Sequence, residues 1–232
     1  MKRFALLALA VLVSAAAFVA IGGADPGDSL DLTGVATPNA AVPGVAPADR
    51  LSPQVRQVAV AQGSTALENP TGVITYYGYE TDVPNFVPTA AAPGTEAQKT
   101  EPDKNTYLVF KDGLHGADPG YDYGTHFLFQ GHEAGVTLHP SPPPFAGTVK
   151  QSYITRINLD ADAAHRVTLL AYQDENRNPL QTIDGSTWDP WAQKLLFTTE
   201  STNAPTYAAG ANYPTTVEDL SGSLGRGGYE GI

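Results

Sequence analysis

Hydrophobic and polar positions alternate with a period of two through most of the chain beyond residue 73. The cleanest run is 126–133. His126, Leu128, Gln130 and His132 fall on one side, and Phe127, Phe129, Gly131 and Glu133 on the other, as in a half-buried strand. Further strands are predicted at 73–79, 106–110, 152–158, 166–172, 186–189 and 194–200, each rich in Val, Ile, Tyr, Phe, Leu or Thr. Residues 80–105 read as a polar inserted loop and the Pro-rich 140–144 as an extended one. One helix is predicted, at 53–62: Ser52 can N-cap it, Pro53 suits its first position, and Gly63 stops it. Its stripe of Val55, Val58 and Ala59 is thin. No long amphipathic helix separates the strands, which argues against a parallel α/β sheet.

Regular short strands with turn signals suggest a sandwich, barrel or propeller. Asp184-Gly185, Trp188-Asp189-Pro190 and Leu195-Leu196-Phe197 follow in order. A strand, an Asp-Pro turn and at once an apolar strand are how many propeller blades begin. Residues 106–172 then form about one blade, 183–232 open the next, and 73–79 serve as an outer strand. The expected fold is all-β: an incomplete β-propeller of about two blades over 73–232, a ring needing at least four.

The N-terminus follows a different pattern. Lys2 and Arg3 precede an uncharged run from Phe4 to Ile21, then Gly22, Gly23, Ala24 and Asp25-Pro26. Residues 1–24 read as an export signal cleaved after Ala24, or after Ala17. The alternative is an uncleaved membrane anchor, since the run approaches spanning length. Both place the protein outside the cytoplasm, secreted or periplasmic. Residues 25–72, rich in Ala, Pro, Gly and Asp, read as a linker carrying the short helix.

Composition narrows the partners. The formal net charge of the 232 residues is −11, which argues against nucleic acid or an anionic membrane surface and suits hard cations, or simple solubility. There are no cysteines, so disulfides, zinc-thiolate sites and a cysteine nucleophile are excluded. No GxSxG elbow, HExxH or phosphate loop with its lysine occurs. Asn158, Asp160 and Asp162 alternate like a calcium loop, as do Asp174, Asn176 and Asn178. Ala163 and Pro179 stand where glycine is needed, so both stretches read as hairpin turns.

Three carboxylates remain: Glu133 and Glu200 at the ends of apolar strands, and Glu230 in a glycine-rich turn. In a propeller such strand ends meet at a central channel. Converged carboxylates repel unless protonated or bridged by a cation, and an oxygen-rich cluster suits Ca²⁺, Mg²⁺ or Fe³⁺. The alternative is that each glutamate ends its strand in water. His132 is a possible neighbouring ligand; His115, His139 and His165 read as surface residues.

At these residues, from about 106 onward, the chain resembles the PhoX-type alkaline phosphatases, exported bacterial six-bladed β-propellers. Gly131-His132-Glu133 resembles that family's Asn-His-Glu strand end. Thr187-Trp188-Asp189-Pro190-Trp191, leading to Thr198-Thr199-Glu200-Ser201, resembles its Thr-Pro-Trp-Gly segment leading to Thr-Cys-Glu-Glu. The resemblance implies metal-dependent hydrolysis of small phosphate monoesters, with Glu133, Glu200 and Glu230 as metal ligands. Thr199 stands where the family has a cysteine that bridges iron, so the implied iron centre loses a ligand while a calcium-only carboxylate site is retained. The rival readings are a non-catalytic calcium-binding propeller module of the cell envelope, and a propeller that hydrolyses other esters.

Overall fold

The computed structural model describes residues 32–34, 51–71, 74–80, 98–133, 139–140, 148–149, 152–229 and 231. The export signal and Glu230 lie outside the described residues. The chain divides into two compact units, Met1–Val58 and Ala59–Ile232. In the first, Ser52 Oγ and Gln54 Oε1 accept the Thr33 N–H, at 3.0 and 3.2 Å. The second, from Ala59 onward, carries the strands.

Among the described residues, twelve strands and one short helix follow in order. They are β1 Tyr79–Glu80, β2 Gln98–Lys99, β3 Glu101–Val109, β4 His126–Glu133, β5 His139–Pro140, β6 Thr148–Val149, β7 Tyr153–Asn158, β8 Val167–Ala171, β9 Ile183–Asp189, β10 Lys194–Thr199, β11 Tyr207–Ala209, β12 Val217–Asp219 and α1 Ser221–Leu224. The long strands form two four-stranded antiparallel sheets, β3-β4-β7-β8 and β9-β10-β11-β12. In each, successive long strands are neighbours, an up-and-down meander. β1-β2 and β5-β6 are two-residue ladders beside them. The all-β expectation holds.

Two predicted elements do not form. Residues 53–62 make a turn at Pro53-Gln54 and no helix. Val55 and Val58 are exposed, so this stretch gains little of the apolar burial that stabilises most short helices. Of the strand predicted at 73–79, residues 74–78 make only isolated bridges, such as Ala66↔Tyr76. By contrast β4 spans the predicted 126–133, and the two Asp/Asn stretches are turns. Asp174 Oδ1 accepts the Asn176 and Asn178 N–H groups, both at 2.8 Å.

The alternation in β4 sorts its residues between two cores. Phe127 and Phe129 join Ile154, and face Ile183, Leu195, Phe197, Tyr207 and Val217 of the second sheet. Complete burial of each such side chain contributes about 1.5–3 kcal/mol. Leu128 joins Tyr153, Ile157, Val167 and Leu169 on the opposite face, which Leu67, Ile74 and Tyr77 cover. Glu68 fastens this covering segment: its carboxylate accepts hydrogen bonds from the Tyr123 hydroxyl at 2.6 Å and the Ala117 N–H at 3.1 Å. Between the sheets lies Arg156, fully buried, its guanidinium over the Phe127 and Tyr123 rings and donating to the carbonyls of His115 and Ala211.

Candidate functional site

The strand ends of both sheets gather an acidic patch. Glu133 ends β4, and Glu101, opening β3, stands directly across the ladder from it, a pairing that repels when both are ionised. Between Pro102 and Asn105 the β3–β4 register shifts. Such a bulge re-aims side chains, and here it holds Asp103. Gln130 Nε2 donates to the Asp103 carbonyl at 2.7 Å. Asp184, the second residue of β9, is buried; Glu200, just past β10, is exposed, its N–H donating to Thr182 O at 3.2 Å. A second register shift, between Phe197 and Thr199, lies immediately before Glu200.

These groups share one electrostatic environment. Burial, then the charges of Glu200, Glu101, Asp103 and Asp184, push the Glu133 carboxyl up to about 7. Asp184 is raised by burial and by a side-chain hydrogen bond and charge repulsion from Asp103, with Glu200 adding to the rise and Lys104 opposing it. A hydrogen bond between two carboxyl groups requires that they share a proton. The sequence thus foresees two members, Glu133 and Glu200, and misses Glu101, Asp103 and Asp184. Among the described residues, no three His, Asp or Glu side chains come close enough together to hold a metal ion.

The residues around Glu230 reach the same place. The Tyr229 N–H donates to Thr199 O at 2.9 Å, and a Cβ built on Gly231 would lie 3.5 Å from Lys104 Nζ. Glu230 itself is outside the described residues.

Two neighbours are committed elsewhere. His132 is fully buried, with Nε2 2.8 Å from Thr155 Oγ1 and Nδ1 3.3 Å from Thr100 Oγ1. It stacks on Tyr153 with 4.3 Å between ring centroids, and burial holds its pKa down to about 3. The side chains of His132 and Glu133 lie on opposite faces because adjacent strand residues must. Thr199 is likewise fully buried and donates its hydroxyl to Pro205 O at 2.9 Å.

The patch is therefore all oxygen and anionic. No family model, curated protein or solved structure matches the chain.

Proposed function

We propose that the two meander sheets are consecutive blades of an exported β-propeller, and that the acidic patch at their strand ends binds a hard divalent cation, Ca²⁺ foremost. One observation carries the cation reading. Glu133 and Glu200, far apart in sequence, share an electrostatic environment with Asp184 and Asp103, and that environment raises Glu133 to about 7. A cation would relieve the repulsion that protonation otherwise relieves. Glu133 and Glu200 would hold it, with Asp103 and Asp184 behind them. Water and backbone carbonyls would supply the rest of a calcium shell of six to eight oxygens. When bound, the ion supplies charge stabilisation for an anionic ester. The resemblance to PhoX-type phosphatases makes a small phosphate monoester the substrate class. The commitment of Thr199 to Pro205 O favours calcium over iron.

The test is thermal unfolding of the full chain with Ca²⁺, Mg²⁺ or chelator, together with hydrolysis of p-nitrophenyl phosphate. An ion that binds only the folded state adds about 2.7 kcal/mol of stability at a hundredfold excess over its Kd. Calcium should raise the melting temperature of the native chain, and should do so much less in Glu133→Gln and Glu200→Gln. No calcium-dependent shift refutes the cation site. A shift without hydrolysis leaves the non-catalytic calcium-binding module as the function.

A further inference from the structure

Both tryptophans of the chain stand on the β9–β10 hairpin. Trp191, at its tip, is 92 % exposed. An indole offers about 150–250 Å² for burial, with a polar N–H at its edge, and leaving all of it in water forgoes that gain. The turn that presents it is well set: Asp189 Oδ1 accepts the Trp191 N–H at 2.8 Å and the Ala192 N–H at 3.1 Å.

Beside this tip opens a cleft of about 410 Å³, whose apolar walls include Phe110, Leu114, Trp188 and Pro214. Trp188 is held by Phe110, edge to face at 5.5 Å between centroids. The same cleft is lined by Lys111, Asp112 and Gln193. It shares no residue with the acidic patch. Its volume lies within the range of small-molecule sites, about 300–1,000 Å³.

We propose that this cleft binds a neutral carbohydrate chain that extends to Trp191, two residues along the turn from the cleft-lining Gln193, as a stacking platform. A sugar ring has an apolar C–H face, which lies well on an indole, and a rim of hydroxyls that each need both a donor and an acceptor. Lys111 donates, Asp112 accepts and Gln193 does both. The one positive and one negative group leave the cleft without net charge, which suits a neutral ligand better than an ionic one. A second copy of this chain is disfavoured as the occupant, because two chains of net charge −11 repel.

The experiment is calorimetric titration of the full chain with cellotetraose, maltotetraose, mannotetraose and tetra-N-acetylchitotetraose. Intrinsic fluorescence is followed in parallel, since both emitters sit on this hairpin. At least one saccharide should bind, with Kd of about 1 mM or tighter, and shift the tryptophan emission. Trp191→Ala should weaken that binding about tenfold or more, and Trp191→Phe should retain most of it. The near-complete exposure of Trp191 means that neither variant removes core packing. Absence of binding by all four saccharides overturns the proposal. So does equal binding by Trp191→Ala, or a self-association of the native chain that Trp191→Ala abolishes, which would seat the indole on a second copy.

Discussion

At Gly131 the two sheets meet with no side chain between them. A Cβ built there would fall inside the envelope of Ile183 Cγ2, and would lie 3.1 Å from Ile183 Cβ and 3.6 Å from Phe197 Cδ1. Neither neighbour can yield easily. Ile183 and Phe197 are both fully buried, and a β-branched side chain is stiff at χ1. Gly131→Ala therefore sets two effects against each other. Removing a glycine from a strand interior gains about 0.5–1 kcal/mol, while overpacking a filled core costs about 1–3 kcal/mol. Because the clash is with a stiff branch close to the β9 backbone, overpacking wins, and the net loss is about 1–2 kcal/mol. That corresponds to a fall in melting temperature of about 2–8 °C for a domain of this size. The partner change tests the cause. Ile183→Ala alone leaves a cavity and costs about 2–5 kcal/mol. Combined with Gly131→Ala it should cost less than the two together, because the new methyl enters the space that Cγ2 vacated. Urea unfolding of the four proteins, followed by circular dichroism, gives the coupling energy. Native stability in Gly131→Ala, or additivity within about 0.5 kcal/mol, refutes the close approach of β4 and β9.

Two further outcomes follow from groups already described. Burial and like charge raise Glu133 from 4.5 to about 7, so between those values the folded chain holds a proton that the unfolded chain has released. Without calcium, stability should fall as pH rises through that window. Glu133→Gln should flatten the fall, though not abolish it, since Asp184 is shifted in the same direction; parallel pH profiles of urea midpoints for native and variant would refute this. Arg156→Met should lose about 2–4 kcal/mol, because it strands the buried Ala211 carbonyl and Asn158 Oδ1 that the guanidinium now satisfies. A urea midpoint close to native would show that these bonds contribute little.

How much of this the sequence carries depends on how local each signal is. β4 is legible because its period of two is unbroken for eight residues and each face has its own core to enter. The 73–79 stretch is rich in strand-forming Val, Ile, Thr and Tyr, yet a strand also needs a partner, and pairing is not written in the segment itself. Tyr76 finds only Ala66, by an isolated bridge. The 53–62 stretch has start and stop residues for a helix, but caps cannot stabilise one whose stripe finds nothing to bury against.

The candidate site shows the same limit from the other side. Glu133 and Glu200 stand out because a carboxylate is unexpected at the end of an apolar strand. Asp103 is hidden inside a polar stretch, because only the pairing of β3 with β4 shows that a bulge falls there. Thr199 teaches the converse. Its neighbour in sequence faces the site, and that closeness invites giving it a role there, but the Thr199 hydroxyl goes to Pro205 O, past the register shift in β10. In β4 the alternation that identifies the strand turns His132 away from Glu133 and inward, to Thr155. In a sheet, then, residues that share a site are recruited across the ladder and across the sheets rather than along the strand. Glu133 meets Glu101 across the ladder and Asp184 and Glu200 from the other sheet, and the register shifts before Asn105 and Thr199 mark where both ladders give way to the acidic patch.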